Sequence, residues 1–187
     1  GGLGWGTDNG LGYLDLGQFD DWGDLPSACF AATLIPRRAW EIVGKVDEEF
    51  PLYYEDIEWS YRARLVGKSV YLSPRAVIYH AFSGHQSSIT NEQRLPPSKL
   101  RHVVFGRLWF VLKILNSIYL FRFLISYLLE DLLHFVFAFF SGQWRIMRAY
   151  FSGWMDIFNR FPKLLPERKK IQRSRVLNDR QIFQLQR

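Results

Sequence analysis

The sequence predicts an α/β region over residues 1–98 followed by an α-helical tail over residues 99–187. Three observations predict it. Short apolar segments of strand length alternate with helical stretches between Ser27 and Tyr79. Gly44 and Gly67 each stand where a helix should stop. After Lys99 the composition turns strongly apolar and aromatic, with helical rather than alternating character.

Residues 1–26 are rich in Gly and Asp with isolated aromatics, which predicts loop. Ser27–Ile35 is small and apolar, as in a buried strand. Pro36 opens a short helix through about Val43. A loop over Asp47–Tyr53 leads into a second helix at about Tyr54–Val66. Two short strands follow, Ser69–Leu72 and Ala76–Tyr79, divided by Pro74. Residues 81–98 return to loop composition.

The totals narrow the function. Nearly half of the 187 residues are apolar and 17% are aromatic, so the chain can pack a core. Cys29 is the only cysteine, which excludes an intrachain disulfide and a multi-cysteine zinc site. The chain starts on Gly1-Gly2 without an initiating Met, and reads as a piece lacking its N-terminal part. The net charge of +6 is uneven: residues 1–159 carry 15 Lys/Arg against 16 Asp/Glu, and residues 160–187 carry 9 against 2. The basic character therefore belongs to the end of the tail.

A bilayer-spanning helix needs about 20 mostly apolar residues. Arg107, Lys113, Arg122, Glu130 and Asp131 interrupt the apolar run, and the longest stretch without a charge is Leu132–Trp144. Each such charge costs about 2.5–3.5 kcal/mol at mid-bilayer, which argues against spanning. Over residues 144–161 a helical projection gathers Arg145, Arg148, Ser152, Asp156, Asn159 and Arg160 on one narrow face. The opposite face is aromatic, with Tyr150, Phe151, Trp154, Phe158 and Phe161 among its members. That pattern predicts a helix lying in the membrane interface. Packing on the protein's own core is the plainer alternative, and nucleic-acid binding is not expected. The cations of Arg168–Arg175 would add attraction to an anionic leaflet, or merely form a solvated terminal helix.

The densest acidic site is Glu55-Asp56-Ile57-Glu58, followed by Arg62. On the first turn of a helix, unpaired backbone N–H groups favour the ionised carboxylates. An ionised carboxylate at the mouth of a sheet can take a proton from an attacking hydroxyl, although acids in first turns are usually only capping. Glu58 and Arg62 are four apart, the spacing of an ion pair. His80 ends the second short strand and could bind a divalent metal or serve as acid or base; a structural His is the commoner case. His85 falls in a Ser/Gly loop, and Asp20, Asp21 and Asp24 read as turn residues.

In one unbroken order these pieces read ACFAATLIPRRAWEIVGKVDEEFPLYYEDIEWSYRARLVGKSVYLSPRAVIYH. The run resembles the C-terminal, acceptor-side half of family 2 glycosyltransferases, especially rhamnosyltransferase-like members. The resemblance implies a partial GT-A (nucleotide-diphospho-sugar transferase) α/β fold. It also implies inverting transfer of a sugar, rhamnose among the candidates, from a nucleotide-sugar donor to a saccharide or lipid-linked acceptor. Asp56 would be the general base, Glu55 its support and Arg62 a brace of the catalytic helix, with Glu58 its partner. His80 would contact a divalent metal, Mg or Mn, that offsets charge on the leaving diphosphate. Two departures stand out: no Asp-x-Asp metal motif occurs, and Ala81 stands where many relatives carry a second His. Without a donor-binding half this chain alone is expected to be inactive. The tail places the protein at the cytoplasmic face of the cell membrane, peripheral or monotopic. The rival readings are a non-catalytic membrane-associated scaffold that keeps the fold, and a small membrane-bound protein of unrelated function.

Overall fold

The structure, a computed structural model, describes residues 9–10, 12–80 and 96–184. Most of the loop expected over residues 81–98, including Ala81 and His85, lies outside the described residues. The described chain is all-α, with six α-helices: α1 Arg37–Val43, α2 Glu55–Leu65, α3 Pro97–Ile114, α4 Ser117–Phe140, α5 Trp144–Ser174 and α6 Asp179–Phe183.

This corrects the α/β expectation and with it the partial GT-A fold. Among the described residues there is no sheet, only a single antiparallel bridge between Asp24 and Tyr71. A strand persists only when a neighbour takes up its backbone N–H and C=O groups. Val70 finds one such partner, its carbonyl accepting from the Leu25 N–H at 2.7 Å. Residues 76–79 lie exposed, Tyr79 almost wholly so. The segment expected as strand Ser27–Ile35 is satisfied by side chains of α2 instead. The Ala28 N–H donates to Ser60 Oγ at 3.2 Å, and the chain then turns through a short 3-10 helix, Phe30–Ala32.

The first two helices lie close to where the sequence places them. Gly44 ends α1 at φ 90°, a conformation costly for any residue with a Cβ. After α2, the Lys68 N–H returns to the Ala63 carbonyl and the Gly67 N–H to Arg64, both at 2.8 Å, which is a Schellman cap with Gly67 left-handed.

The core is built around α3. Pro97 opens it, where a missing N–H costs nothing. From Val103 to Ile114 nearly every side chain is buried, as expected of a helix apolar on all sides. α5 runs parallel to it, since its partners climb in step: Asp156 pairs with Arg101, Arg160 lies over the Phe105 ring, and Gln172 donates to the Ile114 carbonyl. α4 connects them in the chain through short turns at both ends and runs antiparallel to both. The end of α3 is capped from α5: Arg168 donates to the Leu112 and Leu115 carbonyls at 2.6 and 2.7 Å, and Arg175 to Ile114 at 3.1 Å. The chain then turns back, and the Val176 N–H donates to the Leu65 carbonyl at the end of α2.

Two expectations for the tail change in detail. The amphipathic stretch at 144–161 belongs to a longer helix reaching Ser174. Its polar face is not uniformly wet: Asp156 is buried against Arg101, with both Nε and Nη2 bonds at 2.7 Å. Tyr150 turns inward, whereas Phe151 and Phe158 turn outward. α4 is the one described helix long and apolar enough to cross a membrane, over Ile118–Phe140.

Close approach of α3 and α5 depends on Gly153. A Cβ there would stand 2.8 Å from Val104 Cγ1 and 3.0 Å from the Arg101 carbonyl oxygen. Alanine is the better helix former by about 1 kcal/mol, but overpacking a rigid interface costs about 1–3 kcal/mol. Gly153→Ala is therefore expected to lower unfolding free energy by about 1 kcal/mol in urea titration, against the helix-propensity trend.

Candidate functional site

The candidate carboxylates stand on the first turn of α2. Tyr53 and Tyr54, immediately before them, are both left-handed, at φ 66° and 71°. Such a conformation costs a non-glycine residue about 1–2 kcal/mol. It persists only where the surroundings hold it, and it concentrates at functional turns. Here α3 does the holding. The Tyr54 side chain is buried and its ring lies 6.4 Å from that of Phe110. Gly106 lies beneath the pair: a Cβ on it would come within 3.1 Å of the Tyr53 carbonyl oxygen and 3.2 Å of Tyr54 Cβ.

Asp56 is half-buried. One oxygen accepts from the Ile57 N–H at 2.7 Å, and the other faces the Phe30 N–H at 3.4 Å. The second contact is long, at the limit of a hydrogen bond. Glu55 is also half-buried, with one oxygen enclosed and lacking a hydrogen-bond partner. Burial pushes its carboxyl above the ordinary glutamate value. A bond from its own backbone N–H opposes the rise, and the charge of Asp56 adds to it.

Behind this pair α2 is anchored by charge. Glu58 is fully buried, and its Oε1 meets Arg62 Nε and Lys113 Nζ, each at 2.8 Å. Arg62 spends its remaining donors on the Val43 and Lys45 carbonyls, both at 2.7 Å, so it ties α2 to the end of α1. Lys113 also meets Asp47 at 2.6 Å. Burial alone would raise the Asp47 carboxyl. Attraction to Lys113, with hydrogen bonds from Lys113, the Glu49 N–H and Trp109, outweighs it and holds Asp47 below the ordinary range.

The structure thus brings Glu55, Asp56, Glu58 and Arg62 onto one helix. His80 is exposed at the end of the segment that follows. Among the described residues no three His, Cys, Asp or Glu side chains gather as a metal site. A divalent ion needs several converging donors, so His80 and its described surroundings do not fit Mg or Mn. Sequence reasoning missed Lys113, Asp47, Gly106 and Arg64. Arg64 is buried and holds Asp24 and the Leu25 carbonyl, both at 2.5 Å, so Asp24 is more than a turn residue. Only the odd placement of Lys113 and Arg107 in an apolar helix could have signalled buried partners.

Comparison with protein-family models, with curated proteins and with solved structures finds no match.

Removing one partner of a buried charge cluster strands the others and costs about 3–5 kcal/mol. Lys113→Met, which takes the cation from Asp47 and leaves buried Glu58 with Arg62 alone, is expected to destabilise by that order in urea unfolding. Because the folded state holds the Asp47 carboxyl low, its ionised form contributes stability above the unfolded aspartate value. That contribution is lost as pH falls through the lowered value. Asp47→Asn should flatten the acid limb of a stability–pH profile; an unchanged limb would remove Asp47 from the account.

Proposed function

We propose that this chain carries the acceptor-side catalytic segment of an inverting glycosyltransferase. The donor is a nucleotide sugar, rhamnose among the candidate sugars, and the acceptor a saccharide or lipid-linked hydroxyl at the cytoplasmic face of the cell membrane. The observation that carries the reading is the position of Glu55-Asp56: a half-buried carboxylate pair on a helix's first turn, directly after two left-handed tyrosines. Strain of that kind has little use in simple capping. The ordered resemblance from Ala28 to His80 supports it independently.

In this reading Asp56 accepts the proton of the acceptor hydroxyl while that oxygen forms its bond to the anomeric carbon. The anomeric C–O bond breaks, and its electron pair leaves with the nucleoside diphosphate. Positive character develops at the anomeric carbon, as in glycoside hydrolysis. Glu55 supports the base from the neighbouring position. Glu58 and Arg62 keep α2 fixed on α1 and α3, so that Asp56 does not swing.

General-base catalysis contributes about 10²–10⁴-fold. Asp56→Asn in the full-length protein is expected to lower kcat by that order while donor binding stays unchanged, measured by transfer kinetics and donor titration. Transfer at the wild-type rate would return Glu55-Asp56 to helix capping and the chain to the non-catalytic, membrane-associated scaffold reading.

A further inference from the structure

The outward surface of α4 lacks a cover among the described residues. Ile118 and Leu133 are each 70% exposed, and Phe121, Leu129 and Phe140 are exposed with them. The exposed positions span about half the circumference of a helix of 24 residues, about 36 Å long. At its far end Phe139 packs edge-on against Trp144 at 5.7 Å, so the aromatic surface continues onto the start of α5.

The α4 acids that argue against spanning in the sequence are turned away from this face. Asp131 is fully buried against Arg107 of α3 and accepts from Trp154 Nε1 at 2.9 Å. Glu130 meets the same Arg107 at 3.1 Å. Asp156, the third and last acid between Ser117 and Phe161, is buried against Arg101. The arginines of that stretch behave oppositely: Arg122, Arg145 and Arg148 are exposed. Over this region the acids are internal and most of the cations external.

We infer that α4 is the membrane element of this protein: a monotopic helix whose outer face lies in the hydrocarbon of an anionic leaflet, with Arg122, Arg145 and Arg148 at headgroup level. This rests on the membrane contact proposed above, but moves it from the 144–161 stretch to α4, and does not depend on Asp56 being a base. Charge selects lipid over a second copy of the chain. A two-fold contact through this face would set the same cations against each other, whereas an anionic leaflet complements them. Coverage of the inner side by α3 and α5 selects lying over spanning, because a helix packed lengthwise on a charged protein core cannot expose its full circumference to lipid.

The test is flotation of the purified chain with vesicles of phosphatidylcholine–phosphatidylglycerol and of phosphatidylcholine alone. Leu129→Asp combined with Leu133→Asp is expected to weaken binding to the mixed vesicles about tenfold or more, with helicity unchanged by circular dichroism. Replacing Arg122, Arg145 and Arg148 by Gln should reduce only the anionic-lipid increment, and an unchanged increment would overturn their headgroup placement. In a Cys29→Ser background, a fluorophore on Leu133→Cys should be quenched by brominated acyl chains, and one on Glu41→Cys should not. An unquenched label at 133, or binding indifferent to the aspartate pair, would overturn the placement on α4. A soluble dimer abolished by that pair, with no vesicle binding, would give the face to a second copy. Asp56→Asn should float like the wild type, so failure of the catalytic reading is separately visible.

Discussion

Two cations buried in α3 organise this protein. Arg107 and Lys113 enter an otherwise apolar stretch of α3, residues 103–114, and an isolated charge there would cost several kcal/mol, a large share of a small domain's stability. Each is met by two carboxylates from elsewhere in the chain: Glu130 and Asp131 for Arg107, Asp47 and Glu58 for Lys113. The four acids lie on α4, on α2 and in the loop before α2, so satisfying two charges places three parts of the fold around one axis. Apolar packing supplies the bulk of the stabilisation, but it is indifferent to register. The ion pairs discriminate between one arrangement and a slipped one.

That division explains what was legible in the sequence. The short helices were readable because their ends are local chemistry: Pro36 before α1, and Gly44 and Gly67 after α1 and α2. The Glu58–Arg62 pair was readable from spacing alone. The strands were misread because a small-apolar run states that a segment can be covered, not by what. Ser27–Ile35 takes its partners from Ser60 and Asp56 on a helix instead of from another strand. Lys113 was invisible as a site residue because its partners are 66 and 55 positions away, and no local pattern carries that distance. Within the site, the order of Glu55, Asp56 and Arg62 was legible and the seat beneath them was not.

The same separation governs the tail. Counting charges along α4 gave Glu130 and Asp131 the weight of obstacles to spanning, since a linear count assigns every charge to the lipid-facing surface. In three dimensions their partner sits on the neighbouring helix, and the outer face of α4 keeps only Arg122 as a charge. Conversely, the helical projection of 144–161 assumed one wet face and one greasy one, whereas α5 divides its aromatics between the core and the outside. Hydrophobic patterning ranks faces by polarity. It does not say which of two apolar faces meets protein.

The left-handed tyrosines have a consequence for how this chain can be divided. Every residue of the Ala28–His80 motif precedes α3, and a shortened chain ending before Pro97 would retain them all. It would lack Gly106 and Phe110, which receive Tyr53 and Tyr54, and Lys113, which meets Glu58. Relieved of that seat, the tyrosine pair would relax to ordinary backbone angles and α2 would start elsewhere, taking its first turn with it. The motif is contiguous in sequence, but the smallest unit able to hold its shape includes the first helix of the tail.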